Sequence, residues 1–113
     1  MAENDDKNKD VGALYALLDL GRQTKKITVE GIDLVIKKLS FGDEKNIAHL
    51  TGEMAQQGVP VDTCQREYAK QVAVSGTVDP VFDEMNIDQI PFPTVTAIAT
   101  EIIDFSKGLE KNS

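Results

Sequence analysis

His49, Cys64 and a run of carboxylates are the residues whose types could do chemistry in this chain. His49 is the single imidazole, so general acid–base work near neutral pH by that side chain must use it. Glu53 follows four residues later, a spacing at which two side chains meet on one helix face. Catalysis would also need a nucleophile or a held substrate, and no G-x-S-x-G signature supplies one. His49 is therefore expected at the surface or partly packed. Cys64 is the single thiol, close to Asp62, where a helix start would lower a thiol pKa. With no partner constellation it is read as a small buried residue in line with Tyr68. Asp79, Asp83, Glu84 and Asp88 fall in DPVFDEMNID, which lacks the central Gly and closing Glu of a calcium loop. A solvated acidic face is expected there, with a weak cation site as the alternative.

Wider counts narrow the chemistry further. One Cys and one His exclude a disulfide framework and a zinc site built from several such ligands. The eight glycines are dispersed, so no loop is rich enough in them to cradle phosphates. The net charge is −7, which argues against nucleic-acid backbone binding. No apolar run approaches the ~20 residues of a membrane span, and the polar, acidic start is the reverse of a secretory signal. A cytoplasmic protein without catalytic residues, cofactor or metal is the expectation.

The elements follow from periodicity. Residues 1–9 carry no apolar side chain after Ala2 and read as a disordered acidic arm ahead of one α+β domain over 10–113. Asp10 is placed to cap a helix bearing Val11, Leu14, Leu17 and Leu18, which Gly21 would end in a left-handed conformation. That short leucine stripe must pack, either into its own core or against another chain.

In KKITVEGIDLVIKK, Glu30-Gly31 predicts a hairpin over about 25–38. Val29 then faces Ile32, Ile27 faces Leu34, and Lys25 faces Ile36, with the five apolar residues on one face. Residues 22–38 carry a net +3, either a docking ribbon for an acidic partner or lysines that blunt sheet edges. Ser40 and Asp43 approximate a capping box for a helix from about Phe41 to Gln57. A further helix begins at Asp62 and closes at Ser75-Gly76. Asp79-Pro80 reads as a helix start, with Phe82 and Met85 on one turn. Val95, Ile98, Ile102, Phe105 and Leu109 set a 3–4–3–4 stripe ending at Gly108, either the central core helix or a seam for a partner.

The order of these segments, KITVEGIDLVIKKLSFGDEKNIAHL, then VFDEMNIDQIPFPTV, then TAIATEIIDFSKG, resembles the tail assembly chaperones of long-tailed bacteriophages over about residues 25–107. The resemblance lies in layout and carries no site residues across. It implies a non-enzymatic protein that coats the long helical tape-measure protein before the tail tube polymerises, and that self-associates. From the residues themselves, apolar helical stripes exceed the core this chain can build, which also points to binding and to a homo-oligomer. Leu14, Leu18, Val95, Ile98, Ile102 and Phe105 are the candidate partner-binding residues. The other readings are a small acidic secretion-type chaperone and, ranked lower, an acidic DNA-mimic inhibitor; no nucleic acid or membrane is expected as partner.

Overall fold

The computed structural model describes residues 12–108. The expected disordered arm over 1–9, the Asp10 cap, Val11 and Leu109 lie outside them. The first described element is a helix over 12–20 (α1). It continues into a hydrogen-bonded turn, with the Gly21, Arg22 and Gln23 amides donating to Leu18, Asp19 and Leu20. Gly21 does not take the left-handed conformation expected of it; the positive-φ glycines are Gly31, Gly58 and Gly108.

The hairpin forms in the expected register. Strand β1 (Thr24–Val29) pairs antiparallel with β2 (Ile32–Lys37), setting Val29 against Ile32, Ile27 against Leu34 and Lys25 against Ile36. Both turn residues have positive φ, 52° at Glu30 and 81° at Gly31, which matches the right-handed twist of the flanking strands. Ile27, Val29, Leu34 and Ile36 are buried. Ile32 shares their face but is 61% exposed. It lines an open cavity of about 430 Å³ with Phe82 and Ile90.

Helix α2 (Phe41–Gln56) starts with the full capping box: Ser40 Oγ accepts from the Asp43 amide, and the Asp43 carboxylate accepts from the Ser40 amide. Helix α3 (Val61–Gly76) begins one residue before Asp62, with Pro60 at the cap position, and ends at Gly76 as expected. The helix start read at Asp79-Pro80 is overturned. Thr77–Asp79 form a third strand, β3, pairing antiparallel with β2 so that the sheet order is β1-β2-β3. The adjacent β2 backbone offers hydrogen bonds that outweigh the local preference of an Asp-Pro pair. A turn follows, in which Asp83 Oδ1 accepts from the Met85 and Asn86 amides, and then a single 3-10 turn at Ile87–Gln89.

Helix α4 (Phe92–Lys107) ends at Gly108 with φ 75°, the left-handed terminator the sequence predicts. Its stripe is the centre of the core: Val95, Ile98, Ala99 and Ile102 are buried against α3 on one side and the sheet on the other. Gly76 allows the close α3–α4 approach. A Cβ built there would lie 2.5 Å from Ile102 Cγ2, closer than non-bonded carbons pack. Ser106 ties α4 to the β2–α2 connection, its Oγ accepting from the Leu39 amide at 2.8 Å and donating to the Ile102 carbonyl at 2.7 Å. The fold is α+β, with four helices and a three-stranded antiparallel sheet among the described residues.

Candidate interaction surface

The residues capable of acid–base or thiol chemistry stand apart from one another in role. His49 is exposed on α2, its Nε2 3.0 Å from Glu53 Oε1, the pairing the i, i+4 spacing sets up. Cys64 is half-buried near the start of α3 and directs its thiol at the Val59 carbonyl, 3.7 Å away. Among the described residues, no group of three or more His, Cys, Asp or Glu side chains is placed to hold a metal ion.

The acidic stretch has a partner that the sequence did not reveal. Lys70, on α3, reaches Glu84 Oε1 at 3.1 Å and Asp88 Oδ1 at 3.0 Å, with its side chain only 19% exposed. Gln71 adds a hydrogen bond to Glu84. Hydrogen bonding to Asp88, then to Glu84, holds the Lys70 ammonium above its ordinary pKa of 10.5, outweighing burial, which acts in the opposite direction. The cluster straps the 80–90 loop to α3. Linear spacing cannot find it, since the cation sits 14 and 18 residues before its carboxylates.

The six residues expected to meet a partner divide between surface and core. Val95, Ile98 and Ile102 are buried in this chain's own core, so they offer no surface; the seam reading of this stripe fails because α3 and the sheet already fill both flanks. Phe105 is half-buried, its ring beneath the ammonium groups of Lys38 and Lys25 at 5.3 and 5.7 Å from the centroid. Leu14 and Leu18 are different. Every residue of α1 from 12 to 20 is exposed, and Leu14, Tyr15, Leu17, Leu18 and Leu20 each show between 46% and 64% of their surface. Burial of this helix in its own core, the first of its two readings, does not occur.

A second apolar feature lies between α2 and α3. A shallow, open concavity of about 490 Å³ is lined by Ala48, Gly52 and Ala55 of α2 and by Val61, Cys64 and Tyr68 of α3. It shares Ala48 and Tyr68 with a neighbouring concavity of about 450 Å³ bounded by Leu39, Phe41 and Ile47. Together they form one trough along α2. Phe41 stands 86% exposed at its mouth. A Cβ built on Gly52 meets nothing within 4 Å, so the surface there is open.

An exposed apolar helix and a shallow apolar trough are features that helix-in-groove binding uses. Among the described residues, no helix is long and apolar enough to cross a membrane. No family model matches this chain, nor does any curated protein or solved structure.

Proposed function

We propose that this protein is a non-enzymatic assembly chaperone of the phage-tail type, acting in the host cytoplasm, whose client is a long helical tape-measure protein. The observation that carries the reading is α1, a helix apolar on most of its circumference and exposed along its whole described length. A helix of that kind is normally buried, so a free one needs a partner. Leu14, Leu17 and Leu18 sit at the i, i+3, i+4 spacing by which one helix anchors on another. The layout resemblance of residues 25–107 to tail assembly chaperones supplies the kind of client. The net charge of −7 keeps the free protein soluble while its leucines wait.

Co-expression with a long helical tape-measure protein tests the reading. The client is expected to stay soluble and co-purify with the wild-type chain, and to precipitate when Leu14 and Leu18 are both changed to Asp. A client equally soluble in the presence of that double variant would overturn it.

A further inference from the structure

We propose that the cleft under the hairpin tip is a peptide-binding site, which takes one large apolar side chain of a linear segment whose next residue is Lys or Arg. The cleft is a different surface from α1, and the inference stands whether or not α1 meets a tape-measure protein.

Three observations carry it. The first is enclosure. Three separate elements wall the cleft: the hairpin end through Val29, Ile32 and Leu34, the 80–91 loop through Phe82 and Ile90, and α4 through Ile98. Val29, Leu34, Phe82 and Ile98 belong to the core, so the cleft reaches down to it. The Thr94 hydroxyl donates to the Glu30 carboxylate, which fastens the hairpin tip to the first turn of α4 and holds the mouth in shape. The second is size. About 430 Å³ lies near the lower end of the ~300–1,000 Å³ of ligand sites, which suits one anchoring side chain better than a whole cofactor. Apolar surface continues past the mouth. Ile32 at the lip is 61% exposed, and Val81, between the lining residues Pro80 and Phe82, is 76% exposed. A chain running across the lip covers such surface, whereas a free small molecule inside the cleft leaves it wet. The third is charge. Glu30 is the only ionisable residue lining the cleft, and it forms no ion pair among the described residues. A carboxylate accepts several hydrogen bonds, so the one from Thr94 leaves lone pairs free for an ammonium or guanidinium. An acidic segment would be repelled there, and a neutral one would leave the charge unanswered.

The full-length chain is titrated with short blocked peptides while its amide resonances are followed by NMR. Acetyl-Phe-Lys-amide is expected to shift the amides of residues 29–34, 81–90 and 94–98, with a millimolar dissociation constant. Acetyl-Phe-Glu-amide should bind about five-fold more weakly, and acetyl-Gly-Lys-amide, which lacks the anchor, about 10-fold more weakly or worse. Glu30→Gln keeps an acceptor for Thr94 and should erase the difference between the Lys and Glu peptides. Ile32→Ala, at an exposed position, should leave the fold intact and weaken acetyl-Phe-Lys-amide about three-fold. Leu18→Asp should leave the binding unchanged, which separates a failure of this site from a failure of α1. No shift in the cleft at ~10 mM acetyl-Phe-Lys-amide would overturn the proposal. So would a Glu peptide bound as tightly as the Lys peptide, or a preference for Lys that survives Glu30→Gln. Phenethylamine bound as tightly as the peptide would make the cleft a small-molecule pocket and overturn it too.

Discussion

Helices α1 and α4 carry the same kind of sequence signal and meet opposite fates. Both present leucine- or isoleucine-rich stripes at three- and four-residue steps. In α4 the stripe is covered twice, by α3 and by the sheet, and Ile102 has no exposed surface at all. In α1 every described residue is exposed. Periodicity thus identifies which face is apolar, but the cover depends on what the connections allow to arrive. The α4 helix follows a loop strapped to α3, and Ser106 fastens its far end to Leu39. The α1 helix joins β1 through the hydrogen-bonded turn at residues 21–23.

The sharpest way to break this comparison is to put the same charge in both stripes. Ile102→Asp buries an unpaired carboxylate, costs several kcal/mol, and should bring thermal unfolding of the isolated chain toward room temperature. Leu18→Asp, measured on the dilute monomer by circular dichroism, should leave the unfolding midpoint within a degree or two. If the two variants lose equal stability, α1 is part of the core after all.

Gly76→Ala tests the α3–α4 contact on which the α4 burial depends. The new Cβ must displace Ile102 from a packed site, an overpacking cost of about 1–3 kcal/mol by denaturant titration. Gly52→Ala, on the open trough, should stabilise by roughly 1 kcal/mol instead, since alanine is the better helix former.

The two helix ends sharpen the same contrast at smaller scale. Gly108→Ala forces a side chain onto φ 75° and should cost about 1 kcal/mol in unfolding free energy. Gly21→Ala, at a position without positive φ, should cost nothing measurable.

The smallest effect concerns the strap that holds the loop before α4. Lys70 is raised above 10.5 in the folded chain, so its ion pairs contribute fully below that pH and are lost as pH rises through the higher folded value. Melting temperature should fall more steeply above pH 10.5 for wild type than for Lys70→Gln. At neutral pH the substitution should cost about 1 kcal/mol or less, as expected for pairs with exposed carboxylates.

Much of the fold was legible in the sequence for local reasons. Glu30-Gly31 fixed the hairpin register through turn geometry, Ser40 and Asp43 marked a helix start, and Gly108 marked an end. Each of those signals acts within a few residues. What stayed hidden is non-local. Strand β3 has three residues and forms because β2 is beside it, so Asp79-Pro80 read on its own terms as a helix start. Lys70 finds Glu84 and Asp88 only once α3 and the loop are folded together. Likewise nothing in the spacing of Val95, Ile98 and Ile102 separates a core stripe from a docking stripe, and the trough beside Gly52 arises between two helices whose patterns each look ordinary.

The Ser106 hydroxyl has a consequence for how the molecule reports its own opening. The Leu39 amide belongs to neither strand nor helix, yet it donates to a side chain 67 positions further along. An amide in a connector normally exchanges its hydrogen with water as fast as the loop fluctuates. This one is held by the far end of α4, so it exchanges only when the hairpin and the last helix part company. Its deuterium uptake therefore times the parting of the β2–α2 connection from the end of α4, an event that the amides inside α4 register together with every local fraying of the helix.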